Sequence, residues 1–209
     1  MIAVSAFAEM DGGGPVASRG YDAIKRATDV ALSGAALLAL GAPLLALMLL
    51  VKATSRGPAL HWSKRVGRDN ALFLMPKLRT MRIDTPQLAT HLMGDPDQWL
   101  TPIGGFLRRS SLDELPQLWS VLVGDMSLVG PRPALFNQDD LVALRITAGV
   151  HTLRPGVTGW AQVNGRDELP IPRKVALDRE YLERRTFWFD LKVLALTVSK
   201  VVRAKGVSH

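Results

Sequence analysis

The chain has no cysteine, which excludes disulfide staples and thiolate zinc sites and suits a reducing compartment without identifying one. Histidine is scarce too. His61, His91, His151 and His209 have no metal-ligand spacing, so no histidine metal centre is indicated. Acidic charge is in deficit: 19 Asp and Glu against 26 Lys and Arg leave a formal net charge of +7. Such an excess calls for an anionic partner, whether nucleic acid, an anionic membrane surface or a phosphorylated substrate. No internal repeat occurs, so a solenoid is excluded. Hydrophobic residues make up 47% of the chain, too many for disorder throughout. Its 209 residues suffice for one domain, or for a domain with an appendage.

Charge is missing altogether from positions 30–51. A straight helix over that run would rise about 30 Å, the thickness of a bilayer's hydrocarbon core. Three arrangements fit: a re-entrant hairpin, an ordinary transmembrane helix and a buried soluble helix. Two features favour the hairpin. Pro43 removes a helical hydrogen bond inside the run and bends the helix at Ala42-Pro43. Basic residues also flank both ends, Lys25 and Arg26 before and Lys52 and Arg56 after, which favours both ends on the cytoplasmic side. The run starts too late and is too long for a cleaved signal peptide. Residues 1–20, with Gly12, Gly13, Gly14 and Pro15, read as a flexible tail. Residues 21–56 are then the membrane segment and residues 57–209 a cytosolic catalytic domain.

Beyond the membrane segment the pattern is that of an α+β, mostly helical domain. "HWSKRVGRDNALFLMPKLRT" reads as two short strands about a turn at Gly67 and "RDN". Leu115, Leu118, Trp119 and Leu122 recur at helical spacing, and Gly124 ends that helix. The last forty residues read as two helices. The second carries apolar residues with Lys192, Lys200, Arg203 and Lys205 among or after them. That suits an amphipathic helix on an anionic bilayer, and equally a core helix with a basic solvent face. Asp190 reads as a cap or a surface acid.

Asp113 and Glu114 stand side by side at the start of the first of these helices. Asp113 is a good N-cap, with Pro116 in the first turn where no donor is lost. The cap and chemistry are compatible. A carboxylate at a helix N-terminus is kept ionised and can be a nucleophile. Glu114 points about 100° away round the helix and is a candidate metal ligand or proton carrier. Lys77 and Arg79 are two apart on an extended segment and so share a face, as a clamp on neighbouring phosphates requires. Arg132, between Pro131 and Pro133, stands on a restricted backbone suited to bidentate phosphate binding.

The chain resembles the bacterial sugar transferase family, the monotopic polyprenyl-phosphate phosphoglycosyl transferases. The resemblance lies in "KRATDV", "PKLRTM", "LTPIGGFLRRSSLDELPQLWSVLVGDMSLVGPRP", "LRPGVTGWAQVNGR" and positions 178–181 of "ALDREYL". It departs from the family at Ala42, where Ser often precedes the proline, and at Leu78, where an aromatic is common.

The resemblance implies transfer of a sugar 1-phosphate from a UDP-sugar to undecaprenyl phosphate, with release of UMP. The sugar is expected to be an N-acetylated amino sugar. Asp113 is the implied nucleophile, forming a covalent phosphosugar adduct, and Glu114 completes the dyad that holds Mg²⁺. Arg132 and Lys77 are the first candidates to bind the diphosphate, with Arg79 and Arg109 next. Arg154, Arg166 and Asp178 also match family motifs and are further candidates to bind substrate, although "RPGVTG" could equally be structural and Asp178 fits a helix-surface salt bridge equally well. The implied place is the cytoplasmic face of the bacterial inner membrane, in contact with lipid and compatible with a homodimer. An inactive membrane-anchored scaffold is the rival expectation, but it has no need of the acidic pair beside Lys77 and Arg132. A nucleic-acid binder would account for the charge but not for the uncharged run.

Overall fold

The computed structural model describes residues 19–85, 95, 97–165 and 169–203. Helix α1 (Arg19–Thr54) is long and apolar enough to cross a membrane by length and composition. Asp22 in its first turn and Lys52 in its last oppose the macrodipole favourably. Ala42-Pro43 lies inside α1, which continues through the proline as one element. A single proline removes one hydrogen bond, and the good helix formers on either side resume the pattern.

Both ends of α1 nevertheless lie on the same domain. Near the start, Arg26 donates to the carbonyls of Val121 and Leu122 at 2.6 and 2.9 Å, and Asp29 accepts from the Leu128 amide at 3.0 Å. Near the end, Val51 is fully buried with Leu78 and Leu107, and Leu44, Leu47 and Met48 pack around them. Between these contacts Leu38 is 87% exposed, and Leu45 and Leu49, interleaved with the packed residues of the second, are also open.

Strands β1 (Leu60–Val66) and β2 (Leu72–Leu78) form the expected antiparallel hairpin. Its turn bonds the Gly67 amide to the Ala71 carbonyl at 2.7 Å and places Asp69 and Asn70 at φ 53° and 61°. Asp and Asn are the residues that tolerate this left-handed region best after glycine. The hairpin puts His61 opposite Lys77, so both face the same side.

After α2 (Gly104–Arg109) and α3 (Gln117–Val123) come β3 (Ser127–Val129) and β4 (Ala134–Leu135). Strand β4 pairs with β1, and β3 pairs in parallel with β5 (Gly156–Thr158). Gly130 and Gly156 bring two backbones together just beyond β3. A methyl group at Gly156 would collide with the Gly130 amide nitrogen, so no larger residue fits. Helices α4 (Asp139–Thr147), α5 (Trp160–Val163), α6 (Ile171–Arg184) and α7 (Phe187–Arg203) complete the fold.

The two expected C-terminal helices are α6 and α7. Phe189 and Val193 of α7 are buried against Tyr181 and Val129, while Trp188, 75% exposed, Lys192 and Val198 face outward. Helix α7 is therefore a core helix whose outer face is mixed basic and apolar. Asp190 is neither cap nor surface acid. It is buried and accepts hydrogen bonds from Tyr21, Lys25 and Tyr181 at 2.9, 2.8 and 2.7 Å, tying α1 to α6 and α7.

Candidate active site

Asp113 and Glu114 sit in a single 3₁₀ turn, Leu112–Glu114, ahead of α3. The N-cap expected at Asp113 is corrected here: Pro116 precedes the first residue of α3, and no side chain caps it. Local hydrogen bonds explain the difference. The Glu114 amide bonds the Ser111 carbonyl and the Leu115 amide bonds that of Leu112, so the chain turns tightly before α3 begins. Ser111 enters the turn at φ 57°, a conformation that costs a non-glycine residue about 1–2 kcal/mol. Helix α3 ends where expected, with Gly124 at φ 102°.

Glu114 is the electrostatic centre. Its Oε1 accepts from Lys77 Nζ at 2.8 Å and from Arg132 Nη2 at 3.0 Å. Lys77 comes from β2 and Arg132 from the loop between β3 and β4, so two separate segments converge on one oxygen of a third. Burial works against the Glu114 carboxylate, but Arg132 and Lys77 outweigh it and hold it well below the ordinary range. Asp113 is 8% exposed, and its balance runs the other way. Burial pushes its carboxyl up, and Glu114 adds to that. Lys77, Arg108 and Arg132 pull it down, and the outcome is about 6. The dyad thus holds one acid that stays ionised and one whose charge is costly and easily spent on a cation or an electrophile.

None of the other expected site residues that are described acts on Asp113 or bonds to Glu114. Arg79 is corrected: its buried guanidinium donates to the Arg56 carbonyl and to the carbonyl and hydroxyl of Ser55, closing the C-terminal end of α1. Two residues apart on a strand does share a face, but β2 ends at Leu78, before Arg79. Arg109 is exposed, and it is the preceding Arg108 whose charge acts on Asp113. Arg108 Nε is held by Thr80 Oγ1 at 3.0 Å. Consecutive residues on a helix point about 100° apart, so only one of this pair can face the dyad. Arg154 exposes its side chain, while its carbonyl packs against Gly130. Asp178 is 2% exposed, buried between α6 and α4 and paired with Arg145, not open to substrate. Arg166 lies outside the described residues. His61, set aside on spacing, lies beside Lys77; burial, Arg65 and Lys77 lower its pKa.

An ionised acid with two cations, a second acid beside it and an apolar helix packed on the same domain form a set suited to an anionic, membrane-borne substrate. The chain is similar to known transferases. Over 200 residues the chain is 43% identical to the UDP-glucose:undecaprenyl-phosphate glucose-1-phosphate transferase of Caulobacter vibrioides, covering 91% of this chain and 74% of that one. It is 42% identical over 198 residues to the undecaprenyl-phosphate glucose phosphotransferase of Komagataeibacter xylinus, covering 87% and 36%. It is 38% identical over 184 residues to the UDP-glucose:undecaprenyl-phosphate glucose-1-phosphate transferase of Escherichia coli, covering 85% and 40%. The chain thus spans less than half the length of two of these relatives. Residues 20–204 match the bacterial sugar transferase family, and the chain belongs to it.

Proposed function

We propose that the chain transfers a hexose 1-phosphate from a UDP-hexose to undecaprenyl phosphate at the cytoplasmic face of the inner membrane, releasing UMP. Glucose is the donor sugar proposed, in place of an amino sugar, because the relatives above carry glucose in their names. The observation that carries the proposal is the junction of Asp113, Glu114, Lys77 and Arg132.

The Asp113 carboxylate oxygen attacks the phosphorus that bears the sugar. A bond from that oxygen to phosphorus forms, the bond from phosphorus to the bridging oxygen breaks, and UMP leaves with the electron pair. An oxygen of the lipid phosphate then attacks the same phosphorus and restores the carboxylate. Two anions meet in each step, so Lys77, Arg132 and Arg108 must hold positive charge around the phosphorus. Asp113 and Glu114 would also hold a Mg²⁺ ion, which when bound adds positive charge at the diphosphate. The fit is chemical. Mg²⁺ typically takes one or two carboxylates with substrate phosphates, and a buried carboxyl raised to about 6 gains from a cation.

The re-entrant arrangement of α1 belongs to the same proposal. Its support is that both ends of the helix pack on one domain while the apolar middle is open. A site built on that domain would then meet the lipid phosphate at headgroup level.

Two outcomes are expected. Purified protein with Mg²⁺ and undecaprenyl phosphate should release UMP from UDP-glucose at least about tenfold faster than from UDP-N-acetylglucosamine, since a pocket that does not fit the acetamido group loses on the order of 1.4 kcal/mol. A preference for the acetamido sugar would reverse the donor assignment, and no UMP from any UDP-sugar would end the transferase proposal. Because the chain has no native cysteine, Gly20→Cys and Lys64→Cys can be labelled singly in inverted and right-side-out vesicles. Both should react only from the cytoplasmic side; reaction from opposite sides would mean that α1 crosses the bilayer.

A further inference from the structure

Arg132 reaches Glu114 from a backbone held at every step. Three consecutive carbonyls each accept a hydrogen bond from a different element: that of Pro131 from the Gly156 amide at 2.8 Å, that of Arg132 from Arg145 Nη1 at 2.8 Å, and that of Pro133 from Arg65 Nη1 at 3.2 Å. The Gly130 amide just before them donates to the Thr158 carbonyl at 2.8 Å. Arg145 is braced in turn: its Nε and Nη2 donate to one oxygen of Asp178 at 3.0 and 2.6 Å. Arg65 is braced by Ser63 Oγ at 2.9 Å.

A buried ion pair such as Arg145–Asp178 is seldom worth more to stability than apolar residues of the same volume. The pair does what an apolar pair could not, since it aims a third guanidinium nitrogen at a main-chain carbonyl. The fork geometry of arginine is what allows one side chain to bridge both acceptors. We propose that Arg145, braced by Asp178, and Arg65 are positioning residues that hold the 131–133 backbone so that Arg132 meets Glu114 and the donor's phosphates. This role rests on the phosphoryl-transfer reaction above. It also gives Asp178 a function that needs no contact with substrate.

Lysine at position 145 keeps the charge opposite Asp178 but cannot span both acceptors. Displacing a catalytic group by about 1 Å can cost on the order of a hundredfold, so a partial loosening should cost about tenfold in kcat/KM. Arg132→Ala should cost about a hundredfold. If Arg145 acts through Arg132, the double variant should lose no more than Arg132→Ala alone, about a hundredfold. Independent roles would multiply to about a thousandfold and overturn the assignment. Hydrogen exchange of the full chain in detergent gives a second readout that needs no activity. Arg145→Lys should speed exchange at the amides of Gly130, Arg132 and Ala134 about tenfold while α1 and α7 stay unchanged. Unchanged exchange at those three amides would also overturn it. Should Arg145→Lys fail to fold, Arg65→Gln makes the same two tests through the Pro133 carbonyl. A wild-type protein that releases no UMP would end the transferase proposal, and the exchange result would still decide whether the clamp exists.

Discussion

Asp113→Asn is expected to abolish UMP release, by at least about a thousandfold, while leaving the protein at least as stable as the wild type. The loss follows from the chemistry proposed. An amide has no anionic oxygen to attack phosphorus, and the neighbouring carboxylate, Glu114, is already held by Lys77 and Arg132. The stability follows from linkage. The folded protein holds the Asp113 carboxyl up to about 6, above its unfolded value near 3.8. Between those two values the fold favours the protonated form. Above about 6 the ionised form in the fold costs stability, on the order of 3 kcal/mol at neutral pH. A neutral isostere removes that cost, so at pH 7.5 the Tm of the variant should equal or exceed that of the wild type. Mass spectrometry of wild-type protein quenched during turnover should place a hexose-phosphate adduct on the peptide containing Asp113, and none should appear in the variant. Normal UMP release by the variant, or an adduct on another residue, would remove Asp113 as nucleophile.

What could be read along the chain was what local chemistry decides. Gly124 ends α3, "RDN" turns the β1–β2 hairpin and the final helices lie where apolar spacing places them, because turns and helix periods depend on neighbours in sequence. What could not be read was the partner of each charge. Asp190 looks like a surface acid until Tyr21 and Lys25, more than 160 residues away, fold onto it. Arg79 resembles half of a phosphate clamp, but the end of α1 takes its donors. Arg108 and Arg109 are the same residue type in adjacent positions, and only the phase of a six-residue helix separates the one beside Asp113 from the one in solvent. Arg145 carried no signal, since a lone arginine in an ordinary amphipathic stretch gives no hint that Asp178 and the Arg132 carbonyl will bury it. Asp113 and Glu114 stand out in the sequence because the two acids are adjacent. The turn that presents them depends on Ser111 adopting a left-handed conformation that its residue type does not favour.

Glu114→Gln should lower kcat/KM by about a hundredfold or more and move the titration of Asp113 downward. Glutamine keeps an acceptor oxygen for Lys77 and Arg132 but not the charge that holds both cations on it. The two cations are then less tightly fixed when the diphosphate arrives, and loss of fixed charge of this kind costs about two to three orders of magnitude in rate. The sign of the pKa change is set by the balance at Asp113. Glu114 raises that carboxyl while Lys77 and Arg132 lower it, so neutralising Glu114 removes a raising influence and leaves the lowering ones. Infrared titration of the metal-free protein, with Asp113→Asn as the reference, should show the carboxyl midpoint near 6 in the wild type and clearly lower in the variant. Stability moves oppositely to the Asp113 case. Glu114 is held below the ordinary carboxylate range, so its contribution is present at neutral pH and is lost only as pH falls through that depressed value. Removing the charge should therefore lower the Tm at pH 7.5, and the difference between variant and wild type should shrink in strong acid. An unchanged or raised Asp113 midpoint would show that Glu114 does not set the nucleophile's charge state, and its role would reduce to tethering Lys77 and Arg132.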